Sequence, residues 1–421
     1  MPIQKIEIDS TAKRLLLVTI GLAAVFCAAL VFRWSAGNAI AAGAEDTETA
    51  EIAITLAPFD AQTHFAAGVL REGTFEAEDT AAALREFETA ASLSPNNYLI
   101  WLALGRIREA SGESDGAVAA LARAKDLAPN YSRVRWTYGN ILLRQGEIGP
   151  AFEEMRAAAS ADDAYAQPIV FAATQFYDGD LRQISSAVGT SPTVLASLSL
   201  KAATEGRFDE TLEIWRSLDR DQKIKSAEIG TTVLNKMIDA KQFGSAVQFA
   251  NLLADEPKYQ IGSVHDGGYE NGISMQNTGP FDWRIGEGQQ PQVALTDGQR
   301  HNGSYSMLMI FRPAAGTDIR PISQTIAVRP GGSYHFEAFY KSDLRTAVKI
   351  RWRIATADGR VLGTTDAVAA SPDWTGLYCD FAVPADADGV NVTLVRDNCA
   401  PGACAIAGNL WMDDVSMRAR N

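Results

Sequence analysis

Three kinds of hydrophobic patterning follow one another along this chain. From Leu15 to Phe32 the sequence LLLVTIGLAAVFCAALVF runs eighteen residues without a charge, between Lys13–Arg14 and Arg33. A helix of that length spans roughly 27 Å, about the hydrocarbon core of a bilayer. From about residue 55 apolar residues recur at helical spacing, in pairs of helices separated by Gly-centred turns. Trp101–Asn130 is the clearest unit, with Trp101, Leu104, Gly105, Gly112, Ala117, Leu121, Ala124 and Pro129 at fixed offsets. After Asp255–Glu256–Pro257 the helical period gives way to short alternating runs broken by Gly, Pro and Asp, which predict strands.

The helical pattern repeats every 34 residues. Moving back from the best unit (98–131) finds Ala83, Phe87, Ala90 and Pro95; moving forward finds Gly139, Gly146, Ala151, Met155 and Ala158. The first helix of the earlier unit, around His64 to Arg71, is about three residues out of register, as an insertion near GTFEAED would produce. These positions resemble the tetratricopeptide (TPR) repeat, in which small residues let two helices approach and Pro stops the second. Gly206 with Leu212, Trp215 and Leu218, and then Ala246, Ala250 and Leu253, extend the reading to six hairpins by residue 257, the last three degenerate. The resemblance implies an α-solenoid with a concave groove for partner proteins, along which Asn97, Arg106 and Asn140 are the polar candidates. His64, with no second catalytic group nearby in sequence, reads as a packing residue.

In the C-terminal part, Ser333–Lys341 and Ala347–Ala355 alternate most cleanly and are expected to pair as a hairpin through Ser342–Thr346. That pairing sets Phe336 near Trp352 and leaves a charged outer face of His335, Glu337, Phe339, Lys349, Arg351 and Arg353, a candidate surface for a glycan, an anionic group or a partner. Further strands fit Ser304–Phe311, Leu377–Val383, Val390–Arg396 and Leu410–Met417, giving an antiparallel β-sandwich of jelly-roll type. GGYENG, FDW, DGQRHNGSYSM, RPGGSYHFEAFYKS, SPDWTGLYCDFAVP and GNLWMDDVSM, in that order, resemble the galactose-binding-like sandwich of family 4/9 carbohydrate-binding modules. The resemblance implies a structural calcium held by Glu270, Asp413 and Asp414 as oxygen ligands. Trp352 and Trp374 are expected to pack inward, which leaves few aromatic side chains for a sugar.

The net charge of −13 at pH 7 resolves into +2 over residues 1–34, −12 over 35–260 and −3 over 261–421. No soluble part has the basic field that nucleic acid requires. Lys5, Lys13 and Arg14 outweigh Arg33, so the positive-inside rule leaves the N-terminus in the cytoplasm and exports the rest. A cleaved signal peptide ending near NAIAA, residues 38–42, is the rival to an uncleaved anchor. Export agrees with a disulfide between Cys399 and Cys404, where Pro401 and Gly402 bend the chain; a metal site there would need further ligands, and no His follows. Cys27 reads as a small hydrophobe and Cys379 as a buried thiol.

No GxSxG, HExxH, Walker A or GxGxxG motif is present, and adjacent Asp413 and Asp414 on a strand should face opposite ways. The expectation is a multidomain α-then-β protein: tail and transmembrane helix (1–35), linker (36–54), TPR-like array (55–257) and sandwich (261–421). The order of anchor, array and sandwich resembles membrane-anchored TPR proteins of bacterial exopolysaccharide systems. The expected role is a non-enzymatic scaffold at the inner membrane, its bulk periplasmic, binding envelope proteins through the groove in polysaccharide assembly or export. A glycan receptor acting through the sandwich is the alternative, and a polysaccharide-processing enzyme the third reading.

Overall fold

A computed structural model describes residues 10–74, 76–273, 278–312, 319–399 and 404–420; Lys5, Pro401 and Gly402 lie outside them. Two compact units divide the chain, Met1–Val194 and Leu195–Asn421.

In the first unit α1 (Thr11–Ala42) begins at Ser10, whose Oγ accepts from Lys13 N, and runs for 32 residues. Its most apolar window has no residue covered by the protein. The helix does not stop where the apolar run stops. Residues 34–42 continue it and lie against α2 (Thr47–Leu56). Gly37 permits this: a Cβ there would sit 2.7 Å from Ala57 Cβ and 3.0 Å from Ala53 O. Arg33 donates to the carbonyls of Thr55 (2.8 Å) and Leu56 (3.0 Å), and Asn38 donates to Asp60 at 2.9 Å. The expected linker at 36–54 is therefore two helices and a tight turn. Its small residues read as connector in sequence, but they are what a close helix crossing needs.

Four hairpins follow in this unit: α3 (Ala61–Glu72) with α4 (Ala77–Leu93), α5 (Tyr98–Ala110) with α6 (Ser114–Leu127), α7 (Ser132–Arg144) with α8 (Ile148–Ala161), and α9 (Ala166–Phe176) with α10 (Leu181–Val188). In the first three a glycine marks the crossing: Gly68 against Phe87, Gly105 against Leu121, Gly139 against Met155. The partner lies 19 residues on in the first pair and 16 in the other two, which is the three-residue insertion made visible. His64 is a packing residue, its Nδ1 2.6 Å from Glu86 Oε2 and its Nε2 3.0 Å from Pro58 O.

Helix α11 (Pro192–Thr204) carries the chain into the second unit, where α12 (Phe208–Arg216), α13 (Arg220–Lys225), α14 (Ala227–Asp239) and α15 (Phe243–Leu253) complete six hairpins after α2. Trp215 and Phe249 fill their core with ring centroids 5.1 Å apart. Phe281 and Ala327, from the strand region, belong to that same core. Phe243 stands so close to Gly389 that a Cβ there would be 2.2 Å from its ring, and Gly244 N donates to Asp388 Oδ2 at 2.9 Å. Asn251 takes both Lys258 N and Tyr259 N on Oδ1. The change of text at Pro257 therefore marks a change of element within one packed unit, not a free hinge.

Among the described residues eleven strands form two antiparallel sheets. One has the order β1 (Arg284–Ile285), β4 (Ile322–Ala327), β10 (Gly389–Arg396), β7 (Ile350–Thr356), β8 (Val361–Thr364). The other has the order β2 (Gln292–Thr296), β3 (Ser306–Phe311), β11 (Ile406–Ala419), β5 (Ser333–Ser342), β9 (Ser371–Ala382), with β6 (Arg345–Thr346) paired to β11. Side chains from both sheets share one core, including Phe336, Trp352, Val392 and Met412.

The expected hairpin is not formed. β5 pairs with β11 and β9, while β7 pairs with β10 and β8 in the opposite sheet. Phe336 does meet Trp352, with ring centroids 5.8 Å apart, but across the sandwich core rather than along a hairpin. Alternation specifies which face of a strand is buried, and both arrangements bury the same faces. β4 lacks a clean apolar alternation because Gln324, 1% exposed, occupies one of its inward positions; its amide is satisfied by the N–H and C=O of His265.

Candidate functional site

The outer face of the six-stranded sheet concentrates aromatic and polar side chains. On β5 the inward residues Tyr334, Phe336, Ala338 and Tyr340 alternate with half-buried His335, Glu337, Phe339 and Lys341. On β11 Leu410 and Met412 pack inward, which turns Trp411 outward, opposite Lys341 on one side and Leu308 on the other. β9 adds Tyr378, 52% exposed and opposite Glu337, and its ring folds over Gly376, the residue opposite Phe339, where a Cβ would run into it. Lys341 Nζ donates to Gln299 Oε1 at 2.8 Å, a polar pair beside Trp411.

A loop at 297–305 brings His301 over this face. Its imidazole stacks on Phe339 with centroids 4.0 Å apart and planes 11° from parallel, and Trp374 approaches to 5.6 Å. Three carboxylates hold the loop. Asp413 Oδ2 accepts from His301 N (2.7 Å) and Asn302 N (3.2 Å); Asp414 Oδ2 lies 2.6 Å from His301 Nδ1; Glu270 Oε1 accepts from Ser304 N (2.8 Å) and Tyr305 N (3.1 Å). The backbone donors from Ser304 and Tyr305 draw the Glu270 carboxyl below its ordinary value. Burial raises Asp413 above its own, against the N–H groups that favour its charged form. A second imidazole, His335, lies 2.6 Å from Asp380 and stacks on Tyr378 at 5.9 Å. That contact holds Asp380 below the usual carboxylate range.

The predicted residues are thus divided. His335, Glu337 and Phe339 share the aromatic face. Lys349, Arg351 and Arg353 belong to the other sheet, where Arg351 pairs with Asp397 at 2.7 Å and Arg353 sits between Thr393 and Thr364. Glu270, Asp413 and Asp414 do meet around one loop, but as staples on backbone N–H groups and on His301. Among the described residues no three His, Cys, Asp or Glu side chains form a group placed to hold a metal ion. Asp413 and Asp414 do not face opposite ways as a regular strand requires. The register shifts between Asp413 and Ser416, and Asp414 takes φ +46°, so both carboxylates reach His301. Trp352 packs inward as expected, but Trp374 does not: it is only half-buried and stands beside His301 on the outer face. The pattern of the sequence did not assign Trp411, His301 and Tyr378 to this site. Trp411 was legible, since it alternates with Leu410 and Met412; His301 was not, because a loop 112 residues away in sequence from Asp413 places it. Cys399 and Cys404 are disulfide-bonded, and Cys379 is a buried free thiol.

In the helical array Arg106 and Asn140 each follow a crossing glycine, Gly105 and Gly139, so they occupy equivalent positions, with Val69 after Gly68 completing the row. Arg106 makes a two-pronged contact with Glu72 (3.1 and 2.7 Å) and Arg144 reaches Glu109 at 2.9 Å, so successive hairpins are laced by repeat-spaced ion pairs. Asn140 Nδ2 donates to Trp136 O. Asn97 is the N-cap of α5, its Oδ1 accepting from Leu99 N at 3.0 Å, which places it at a helix start and not in this row.

Residues 74–135 match the tetratricopeptide-repeat family. No curated protein matches the chain. Among solved structures, one described as CBM4 structure and function is 18% identical, covering 37% of this chain and 99% of its own, with a TM-score of 0.28. PilF of Pseudomonas aeruginosa is 14% identical over 53% of this chain and 91% of its own, with a TM-score of 0.32. MamA of Desulfovibrio magneticus RS-1 is 16% identical over 41% and 85%, with a TM-score of 0.30.

Proposed function

We propose that this chain is a membrane-anchored, exported adaptor that works by binding and not by catalysis. Its helical array holds partner proteins, and the outer face of its six-stranded sheet holds a polysaccharide. One observation carries the reading: Trp411, Phe339, Trp374 and Tyr378 share a sheet face with Lys341, Gln299 and Glu337. Sugar rings present apolar C–H faces and hydroxyl edges, so flat aromatic surface beside hydrogen-bonding groups is what a glycan site requires. Assembly or export of polysaccharide is the process this combination of anchor, repeat array and sandwich would serve.

Anchoring is supported by α1, whose apolar window is bare of protein contact and whose far end is packed on α2. A peptidase acting near residues 38–42 would have to unwind that packed end, which favours an uncleaved helix. The positive-inside balance of Lys13 and Arg14 over Arg33 supports a cytoplasmic N-terminus.

The test is titration of the detergent-solubilised full chain against a panel of neutral and acidic polysaccharides. Trp411→Ala is expected to weaken binding about tenfold or more, a loss of about 1.4 kcal/mol. Arg351→Ala, on the other sheet, is expected to leave binding unchanged. An absence of binding across the panel, or affinity indifferent to Trp411→Ala, overturns the glycan assignment.

A further inference from the structure

The α2–α3 turn, Ala57 to Asp60, is held in register with the end of the apolar run. Arg33 is the first charged residue after eighteen uncharged ones, and it donates to Thr55 O and Leu56 O, the last carbonyls of α2. On either side of the turn Ala57 lies against Gly37 and Asp60 accepts from Asn38. The turn therefore lies within one or two helical turns, roughly 5–10 Å, of Arg33 along α1. The headgroup layer on each face of a bilayer is about 5–8 Å deep beyond the hydrocarbon.

At this level Phe59 is 86% exposed and Trp34 is 53% exposed. An isolated exposed aromatic on a soluble surface is ordinary and needs no explanation. Here two lie at about one level along α1, at the depth where aromatic residues gather in membrane proteins. The neighbouring Asp60 carboxylate is occupied by Asn38 and by Gln62 N, so it is tied to the protein beside the turn. We infer that the α2–α3 turn is a lipid contact: Phe59 enters the headgroup layer at the level of Trp34, seating the first helical hairpin on the bilayer. This rests on α1 spanning the membrane. The partner is the lipid surface itself, and the effect is to set the angle at which the array leaves the membrane.

The experiment uses the full chain with Cys27→Ser in phosphatidylcholine–phosphatidylglycerol vesicles, the remaining cysteines being buried or disulfide-bonded. An NBD fluorophore is attached at Pro58→Cys, which keeps Phe59, or at Ser111→Cys, at the opposite end of α5. Headgroup-labelled nitroxide lipid is expected to quench the probe at 58 at least twofold more than the probe at 111, and mid-chain nitroxide less. Adding Phe59→Asp is expected to abolish the difference. If 58 is quenched no more than 111 while the chain resists alkaline extraction, the span stands and the lipid contact falls. Quenching at 58 that survives Phe59→Asp removes Phe59 as the contact. Release of the chain by alkaline carbonate sinks both the span and the contact.

Discussion

Gly105 offers a direct test of how the helical hairpins are built. A Cβ at this position would lie 2.5 Å from Leu121 Cγ and 2.9 Å from its Cδ2, and Leu121 is fully buried with nowhere to turn. Gly105→Ala gains about 1 kcal/mol of helix propensity. Forcing a methyl into a filled crossing costs about 1–3 kcal/mol, so the expected net effect is a loss of about 1 kcal/mol. Leu121→Ala alone empties the same space and is expected to cost about 2–5 kcal/mol. In the double variant the new methyl occupies part of the space Leu121 vacated. The two losses should therefore fall short of additivity by about 1–2 kcal/mol. Hydrogen–deuterium exchange of α5 and α6 amides in the full-length protein reads these energies locally, as a repeat array requires. Additive losses, or a Gly105→Ala variant better protected than wild type, would show that the two helices do not cross there.

Two further outcomes follow from the first unit. Glu86, 2.6 Å from His64, raises that imidazole above its ordinary 6.5, with burial opposing. A His raised on folding contributes stability that is complete below its unfolded value and is lost as pH climbs through the folded one. Protection of α3 and α4 amides should therefore fall as pH rises above 6.5, and His64→Gln should flatten the dependence; a slope that survives the substitution refutes the assignment. Because Gly37 and Arg33 tie the end of α1 to α2, the membrane-bound protein is expected to retain its N-terminal residues on intact-mass measurement. A species beginning after Ala42 would count against the anchor.

Much of this architecture is local and was legible. Helical periods, crossing glycines 16 or 19 residues from their large partners in the next helix, and alternating strands report near-neighbour packing, which sequence carries directly. Gly105, Leu121 and Pro129 announce their hairpin because one repeat contains both halves of the contact. The candidate site is different in kind. Its Trp411 could be placed from alternation, but His301 reaches Phe339 only because Asp413 and Asp414, more than a hundred residues later, seize the loop. The split of His335 from Arg351 has the same origin, since their strands bury identical faces whether paired as neighbours or opposed across a core.

The sequence by itself determined the class of each segment, the repeat register and the inward or outward sense of most side chains, because these depend on periodicity and on the burial of apolar area. Only the tertiary structure decided which strands are partners, that the small-residue stretch after Arg33 is a helix crossing, and that three acidic residues serve a loop. Those outcomes depend on which distant groups satisfy one another's hydrogen bonds and fill one another's space, a long-range accounting that no local pattern encodes.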